Sequence, residues 1–316
     1  MNTIQQTVYQ AFGLRIKSEI SLPELQQVNN TNRSADVTVR FADLSQWAGA
    51  IATRETNFTM QPPGFMFQMP DTGIFCIHEG NSITIDPAPQ VSEAKLRLFV
   101  LGTCMGILLM QRDIFPLHGS ALMIEGQAYA FVGHSGAGKS TLAATFMQAG
   151  YPLISDDVIA VNYENGVPHV YPAYPQQKLW QESLNHFGIS SDQYSTLHDE
   201  YDKFAIPVGD QFYNQPVPLA GIFELVKTDE PEAKITELNR LERLHIMLAH
   251  TFRGAIVPRL GLKQRHFSQV AALAGELDAY QIHRSTTAFT APAIMEKVVQ
   301  IIQSQNHAAS RSGSNS

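Results

Sequence analysis

The stretch from Phe131 to Ala144, FVGHSGAGKSTLAA, crowds three glycines around a lysine and a hydroxyl pair, between an apolar run and an alanine-rich one. Gly133, Gly138, Lys139 and Ser140 satisfy the pattern G-x-x-x-x-G-K-[ST]. Glycines let a backbone curl so that successive N–H groups converge on an anion, and a following helix adds its positive end. The loop residues Gly133, His134, Ser135, Gly136, Ala137 and Gly138, with Lys139, Ser140 and Thr141 after them, are thereby expected to cradle the phosphates of ATP. Lys139 would reach the β- and γ-phosphates, and Ser140 would ligate Mg2+. His134 is read as a spacer that contributes its backbone.

Two neighbours narrow the chemistry. Asp156-Asp157 follows YPLIS, where a carboxylate at a strand end is the usual second anchor for Mg2+. Successive side chains of an extended chain point apart, so one aspartate can hold the metal while the other faces an incoming hydroxyl as general base. His118 in PLHGSAL, upstream of the loop-bearing strand, is placed to orient a carboxylate or sense the transferred phosphate.

These residues need elements to carry them. Gln127–Gly133 reads as a strand entering the loop, paired as a hairpin with LHGSALMI across a turn at Glu125–Gln127, and Ser140–Gln148 reads as the helix leaving it. YPLISDDVIAV is a second strand and PLAGIFELV (Pro218–Val226) another. VPHVYPAYPQQKLW, with three prolines, suggests short strands with turns. TELNRLERLHIMLAHTFR is a helix whose apolar face is expected to include Leu241, Leu244 and Leu248. RHFSQVAALAGEL, AYQIHR and APAIMEKVVQIIQ close the domain as helix, strand and helix. Before residue 91 the chain alternates as strands do, with a hairpin expected around Glu79–Asn81, and a buried helix is expected from Ser92 to Gln111. The reading is thus a β-rich N-terminal domain over 1–91, a P-loop domain over 92–306 and a small, polar, disordered tail over 307–316. The fold class is α/β, α+β overall.

Composition sets bounds. The chain has 316 residues, 44% hydrophobic and 16% charged, enough for a sizeable core. A net charge of −7 argues against a general nucleic-acid binder but leaves room for a local phosphate site. Cys76 and Cys104 show no metal-ligand spacing and read as buried free thiols of a reducing compartment. The start MNTIQQTVYQAFG lacks a signal-peptide pattern, and Phe99–Met110 is shorter than the roughly 20 residues that span a bilayer. The expectation is a cytoplasmic protein without a membrane partner.

LHGSAL, then FVGHSGAGKSTLA, then GYPLISDD resembles, in order and spacing, the catalytic domain of the HPr kinase/phosphorylase family. That resemblance implies a P-loop domain similar to that of phosphoenolpyruvate carboxykinase, with ATP and Mg2+ as cofactors and a protein serine as acceptor. It is strongest toward the HPr kinase-like proteins of lasso-peptide gene clusters, on GLRIKSEISLPEL, LLMQRDIFPLHGSAL and PLAGIFELV. This implies a peptide or protein partner bearing an acceptor serine, specifically the C-terminal serine of a precursor peptide. Homo-oligomers are known in the family and are open here. By the same resemblance His118 supports the catalytic aspartate, Asp156 is the general base and Asp157 the metal ligand, a division that sequence leaves reversible.

The family signature E-[IV]-R-G-x-G is met only by Arg253-Gly254 in FRGAIVPRLG, without the acid. This weakens the case for phosphorylase activity and for HPr as substrate. Arg253 and Arg259 are candidates for stabilising charge on the transferred phosphate. Lys178 and Lys203 are read as solubilising surface charges in preference to lining the site's mouth. Alternatives are an HPr kinase/phosphorylase-like enzyme acting on a carrier protein, and a non-catalytic nucleotide sensor. A transport ATPase would show LSGGQ or an apolar strand running into Asp-Glu, and neither occurs. A GTPase would need [NT]-K-x-D, where Val226–Asp229 reads VKTD, and no D-x-x-G is present.

Overall fold

The structure is a computed structural model, and it describes residues 7–29, 33–52, 58–61, 64–197 and 200–313. The first six residues of the leader expected to carry no signal, and residues 314–316 of the expected tail, lie outside the described residues.

The N-terminal third forms a sheet of eight described strands: β1 (Thr7–Ala11), β2 (Leu14–Ser18), β3 (Gln26–Gln27), β4 (Val37–Phe41), β5 (Phe58–Gln61), β6 (Gly64–Met69), β7 (Gly73–His78) and β8 (Ser82–Pro87). The short helix α1 (Ala48–Ala52) packs against β6. The hairpin expected around Glu79–Asn81 joins β7 and β8 in antiparallel register, His78 opposite Ser82.

The next helix is not uniform. α2 (Glu93–Phe99) starts on Ser92, whose side chain accepts from the Lys95 N–H. A π-helical segment over Val100–Cys104 then leads into α3 (Met105–Gln111). Periodicity alone does not announce the inserted π turn. The helical run packs on the N-terminal sheet in one core, with Leu96, Phe99, Leu108 and Leu109 against Phe65, Phe75, Ile77 and Ile83. Val158, Ala160, Ala173 and Phe252 of the second half join the same core. Cys76 and Cys104 are both buried and unpaired, as expected.

The second half is built on a seven-stranded mixed sheet: β9 (Phe115–Ile124), β10 (Gln127–Gly133), β11 (Leu153–Glu164), β12 (Val167–Tyr171), β16 (Val217–Thr228), β17 (Lys234–Glu237) and β18 (Asp278–Ser285). β10 pairs with β9 antiparallel and with β16 parallel, which closes β10, β9, β11, β12 and β16 into a ring. Side chains alternate across the sheet as strands require. Tyr129 and Phe131 meet α4 (Lys139–Gln148) and α8 (Ala291–Gly313) on one face, with Phe146 and Ile294. Ala128, Ala130 and Val132 meet α6 (Arg240–Ala249) and α7 (Lys263–Glu276) on the other, with Met247 and Leu273. A three-stranded sheet of β13 (Gln176–Trp180), β15 (Glu200–Pro207) and β14 (Ser195–Leu197), with α5 (Gln181–Phe187), lies beside α4. The architecture is α/β.

Two expectations change. α6 forms, capped by Asn239 and Glu242 in a reciprocal capping box, but its buried residues are Ile246 and Met247, and Leu241 is 74% exposed. Of the expected leucine face, Leu244 is half-buried against the core while Leu241 and Leu248 are exposed, because α6 packs chiefly through Ile246 and Met247. α8 continues to Gly313, over most of the segment expected to be disordered.

Candidate active site

β10 ends at Gly133 and α4 begins at Lys139, so the sequence between them is a strand-to-helix turn. Gly138 takes φ 97° at the helix N-cap, a conformation that suits glycine and strains other residues. Lys139 folds back over the loop, its Nζ donating to the Gly133 carbonyl at 2.8 Å and to the His134 carbonyl at 3.2 Å. Burial lowers the Lys139 pKa, against the pull of Asp156 and Asp157.

His118 and Ser120 come from β9, the strand between the loop strand and β11. Gly119 is what lets these strands meet: a Cβ there would lie 2.2 Å from the Phe131 carbonyl oxygen. In register, Ser120 faces Asp156 and Gly119 faces Asp157. Asp157 has φ 71°, outside the extended region that the pointing-apart argument assumed. Both aspartates consequently line the same cavity, with the loop and His118.

Their environments nevertheless differ. Asp156 is buried, its Oδ1 accepting from Ser120 Oγ at 2.6 Å and its Oδ2 from the Lys178 backbone N–H at 2.8 Å. Burial raises its pKa above the ordinary carboxylate value, and the two hydrogen bonds offset that only in part. Asp157 accepts from the Lys178 ammonium at 2.6 Å. Burial pushes its carboxyl up as well, but Lys178 and His118 outweigh it and hold it well below the usual range. One carboxylate is kept ionised and the other made more basic, which is how paired acids divide work.

His118 touches Asp157, not Asp156: its Nδ1 lies 3.1 Å from the Asp157 carbonyl oxygen and 3.5 Å from Oδ1. Burial lowers the His118 pKa, with Asp157 opposing. Phe252 stands beside the imidazole at 5.9 Å between centroids, in a space that Gly106 leaves open, since a Cβ at Gly106 would meet that ring at 2.4 Å.

The cavity is about 710 Å3 and takes in Gly136, Gly138, Lys139, Ser140 and Thr141 along with the acidic pair. Ser140 and Asp157 offer the hard oxygen donors that Mg2+ takes, and that ion needs only one or two protein groups beside phosphate and water. The donor set therefore fits, although no cluster of three or more His, Cys, Asp or Glu suited to a metal occurs among the described residues. Five cationic side chains (Lys139, Lys178, Lys203, Lys227 and Arg284) and four acidic ones line the cavity, a local excess of positive charge on a chain of net charge −7.

Lys178 and Lys203 are thus not surface charges. Lys178 is buried and ion-paired with Asp157, and Lys203 lies 5.1 Å over the Trp180 ring. Arg253 and Arg259 are not among the residues lining the cavity. Arg253 is exposed and stacks over Phe252, while Arg259 sits 3.8 Å above the Phe58 ring of the N-terminal sheet. The arginine at the loop is Arg284 of β18, donating to the Ala137 carbonyl at 2.6 Å and the Gly136 carbonyl at 3.1 Å. No local motif marks it, because its role depends on β18 pairing with β16 and so ending beside the loop. Sequence reading also missed Gln177, which donates to the Ser140 carbonyl at 2.9 Å. It missed the buried Glu224–His250 pair at 2.7 Å as well, whose imidazole meets the His134 ring edge-on at 5.2 Å.

No family model matches the chain. Over 71 residues, 22% of its length, the chain is 37% identical to the HPr kinase/phosphorylase of Mycoplasmopsis pulmonis (strain UAB CTIP). The similarity is confined to a segment. It spans 23% of that relative's length. Among solved structures, the HPr(Ser) kinase/phosphatase from Coxiella burnetii aligns over 61% of this chain and 98% of its own, at 15% identity and a TM-score of 0.34.

Proposed function

We propose that the chain is an ATP-dependent serine kinase that transfers the γ-phosphoryl group to a serine hydroxyl of a peptide or protein. Its acceptor, in this reading, is the C-terminal serine of a lasso-peptide precursor. One observation carries the kinase reading. In the same cavity as the phosphate loop sit two adjacent carboxylates with opposite pKa displacements, one held ionised by Lys178, the other made more basic by burial. A protein that only senses nucleotide has no need of a basic carboxylate in the cavity of its phosphate loop. The similarity to an HPr kinase/phosphorylase segment supports the reaction class, and the quoted motifs support the peptide acceptor.

In the proposed reaction the serine Oγ attacks the γ-phosphorus, the bond to the β–γ bridging oxygen breaks, and ADP leaves. Asp156 accepts the hydroxyl proton as attack proceeds, its raised pKa making it the better base of the pair. Lys139 exchanges its loop carbonyls for phosphate oxygens, and the loop N–H groups share the charge. Ser140 and Asp157 would hold Mg2+, which supplies charge neutralisation at the phosphates when bound. Arg284 fixes the Gly136 and Ala137 carbonyls, keeping the loop's N–H groups turned toward the anion. Lys178 keeps Asp157 ionised, and the His118 ring lies against the same carboxylate at 3.5 Å. Residues 92–306 form the catalytic domain in this scheme, with 1–91 as a β-rich companion.

The test is transfer from γ-labelled ATP to synthetic peptides ending in serine, read by mass spectrometry. Phosphoserine is expected. Nucleotide binding with neither transfer nor hydrolysis would favour the sensor, and transfer to a folded carrier protein but to no peptide would favour the carrier-protein alternative.

A further inference from the structure

The three-stranded sheet has two unlike faces. Gln177 and Leu179 of β13, with Phe204 and Ile206 of β15, point toward α4 and α5, where Leu179, Phe204 and Ile206 pack on Ala144 and Leu184. The alternate residues point the other way, in cross-strand rungs: Trp180 opposite Lys203, Lys178 opposite Ala205, and Gln176 opposite Pro207. Trp180, Lys203 and Lys178 line the main cavity. Lys178, Ala205, Gln176 and Pro207 line a second cavity of about 270 Å3, closed on its far side by α2. The two cavities are therefore successive stretches along one sheet face. They meet at Lys178, whose ammonium is bonded to Asp157.

From this geometry we infer that the second cavity is the binding trough for the acceptor chain. An extended peptide lies along the face of β13 and β15, and its serine projects past Lys178 to the acidic pair. The inference rests on the kinase reading above and adds where the acceptor binds and what sequence it must have. Same-face residues of a strand are about 6.7 Å apart, so three rungs offer roughly 13 Å of wall, the length of about four extended residues. The helix that leaves the phosphate loop lies against the other face of β13, where Gln177 donates to the Ser140 carbonyl, which leaves this face for the acceptor.

The walls define the occupant's chemistry. Leu98, Leu101, Ala205 and Pro207 are apolar, and Gln176 and Gln193 offer side-chain amides. The two charges there besides Lys178, Glu24 and Arg97, are bonded to each other at 2.7 Å. As an ion pair the two are neutral together and leave only the buried Glu24 Oε2 as an open acceptor, which an amide N–H can fill without bringing in a charge that the trough would have to desolvate. The trough therefore selects an uncharged segment beside the serine, held by amide hydrogen bonds and apolar contact. It also gives the N-terminal part a task, since Glu24 belongs to it and α2 packs on its sheet.

The experiment uses the full chain with Mg·ATP and two synthetic peptide libraries, one ending in serine and one with serine internal. Phosphorylated members are sequenced by mass spectrometry, and the best member is used for kinetics. Ala205→Trp fills the trough. Ala94→Arg obstructs its rim from an exposed helix position and keeps the test decisive where the tryptophan impairs folding. For the best peptide, both variants are expected to raise KM about tenfold or more while kcat stays within about twofold. Affinity for a fluorescent ATP analogue should not move, and the selected sequences should lack Asp, Glu, Lys and Arg next to the serine. Wild-type KM in a folded variant, or a charged residue selected beside the serine, would overturn the trough alone. A wild-type protein that binds ATP yet phosphorylates no peptide would contradict the kinase reading, and the trough with it.

Discussion

Asp156 and Asp157 are neighbours in sequence and opposites in chemistry, and the cause is local. Asp157's left-handed backbone turns both side chains into one cavity, where Lys178 sends its ammonium to one carboxylate and its backbone N–H to the other. The sequence showed the pair and left its roles reversible, and no pattern of residue types announces a positive φ at an aspartate. A pH profile follows. A base works when ionised, and burial raises Asp156's pKa, so the acid limb of kcat/KM should lie above the ordinary aspartate value of about 3.9. A limb at or below that value would contradict the role. The stability sign agrees: with its folded pKa raised, Asp156 contributes fully below its unfolded pKa and loses that contribution as pH rises through the folded one. Ionised Asp156 is therefore a stability cost borne at neutral pH. Asp157 has the reverse sign, stabilising above its unfolded pKa and losing that as pH falls through the depressed folded one.

The strands and helices that hold these groups were largely readable, because β9, β10, β11 and β16 carry apolar runs, buried on both faces of the sheet, and the glycine loop marks where β10 gives way to α4. What stayed hidden was which stripe of a helix faces inward. α6 carries both a leucine stripe and an Ile246–Met247 stripe, and only its neighbours choose between them. Met247→Ala should cost about 2–5 kcal/mol in chemical denaturation, whereas Leu241→Lys should stay within about 0.5 kcal/mol. Equal losses would restore the leucine face. Gly119 gives a second check. The alanine methyl would have to displace the β10 backbone at Phe131, so Gly119→Ala should destabilise by about 1–3 kcal/mol, and a neutral result would contradict the close approach. Sequence reading passes over Arg284 and prefers a surface role for Lys178 and Lys203 for one shared reason: each reaches the site through strand pairing, not through proximity in the chain.

Across the molecule, the two large sheets are joined by a common core. Val158, Ala160, Ala173 and Phe252 pack with the N-terminal strands and with α2 and α3. Separate cores would unfold separately; a shared one couples them. Scanning calorimetry of the full chain should therefore show one cooperative transition, and two resolved transitions would contradict the coupling. Composition predicted a chain able to bury a large core, and the β-rich start was visible in its alternation. That this start supplies Glu24 to the wall of the second cavity is not legible in the sequence, since Glu24 meets Arg97 across 73 residues of chain.

The account depends above all on where the terminal phosphoryl group goes and what receives the proton. Single-turnover reactions with γ-labelled ATP and a serine peptide, run with wild-type protein and Asp156→Asn, measure both at once. The expected result is phosphoserine from the wild type and a loss of about 10²- to 10⁴-fold in its rate for Asp156→Asn, with ATP affinity retained. Release of inorganic phosphate alone, or undiminished transfer by Asp156→Asn, would contradict it.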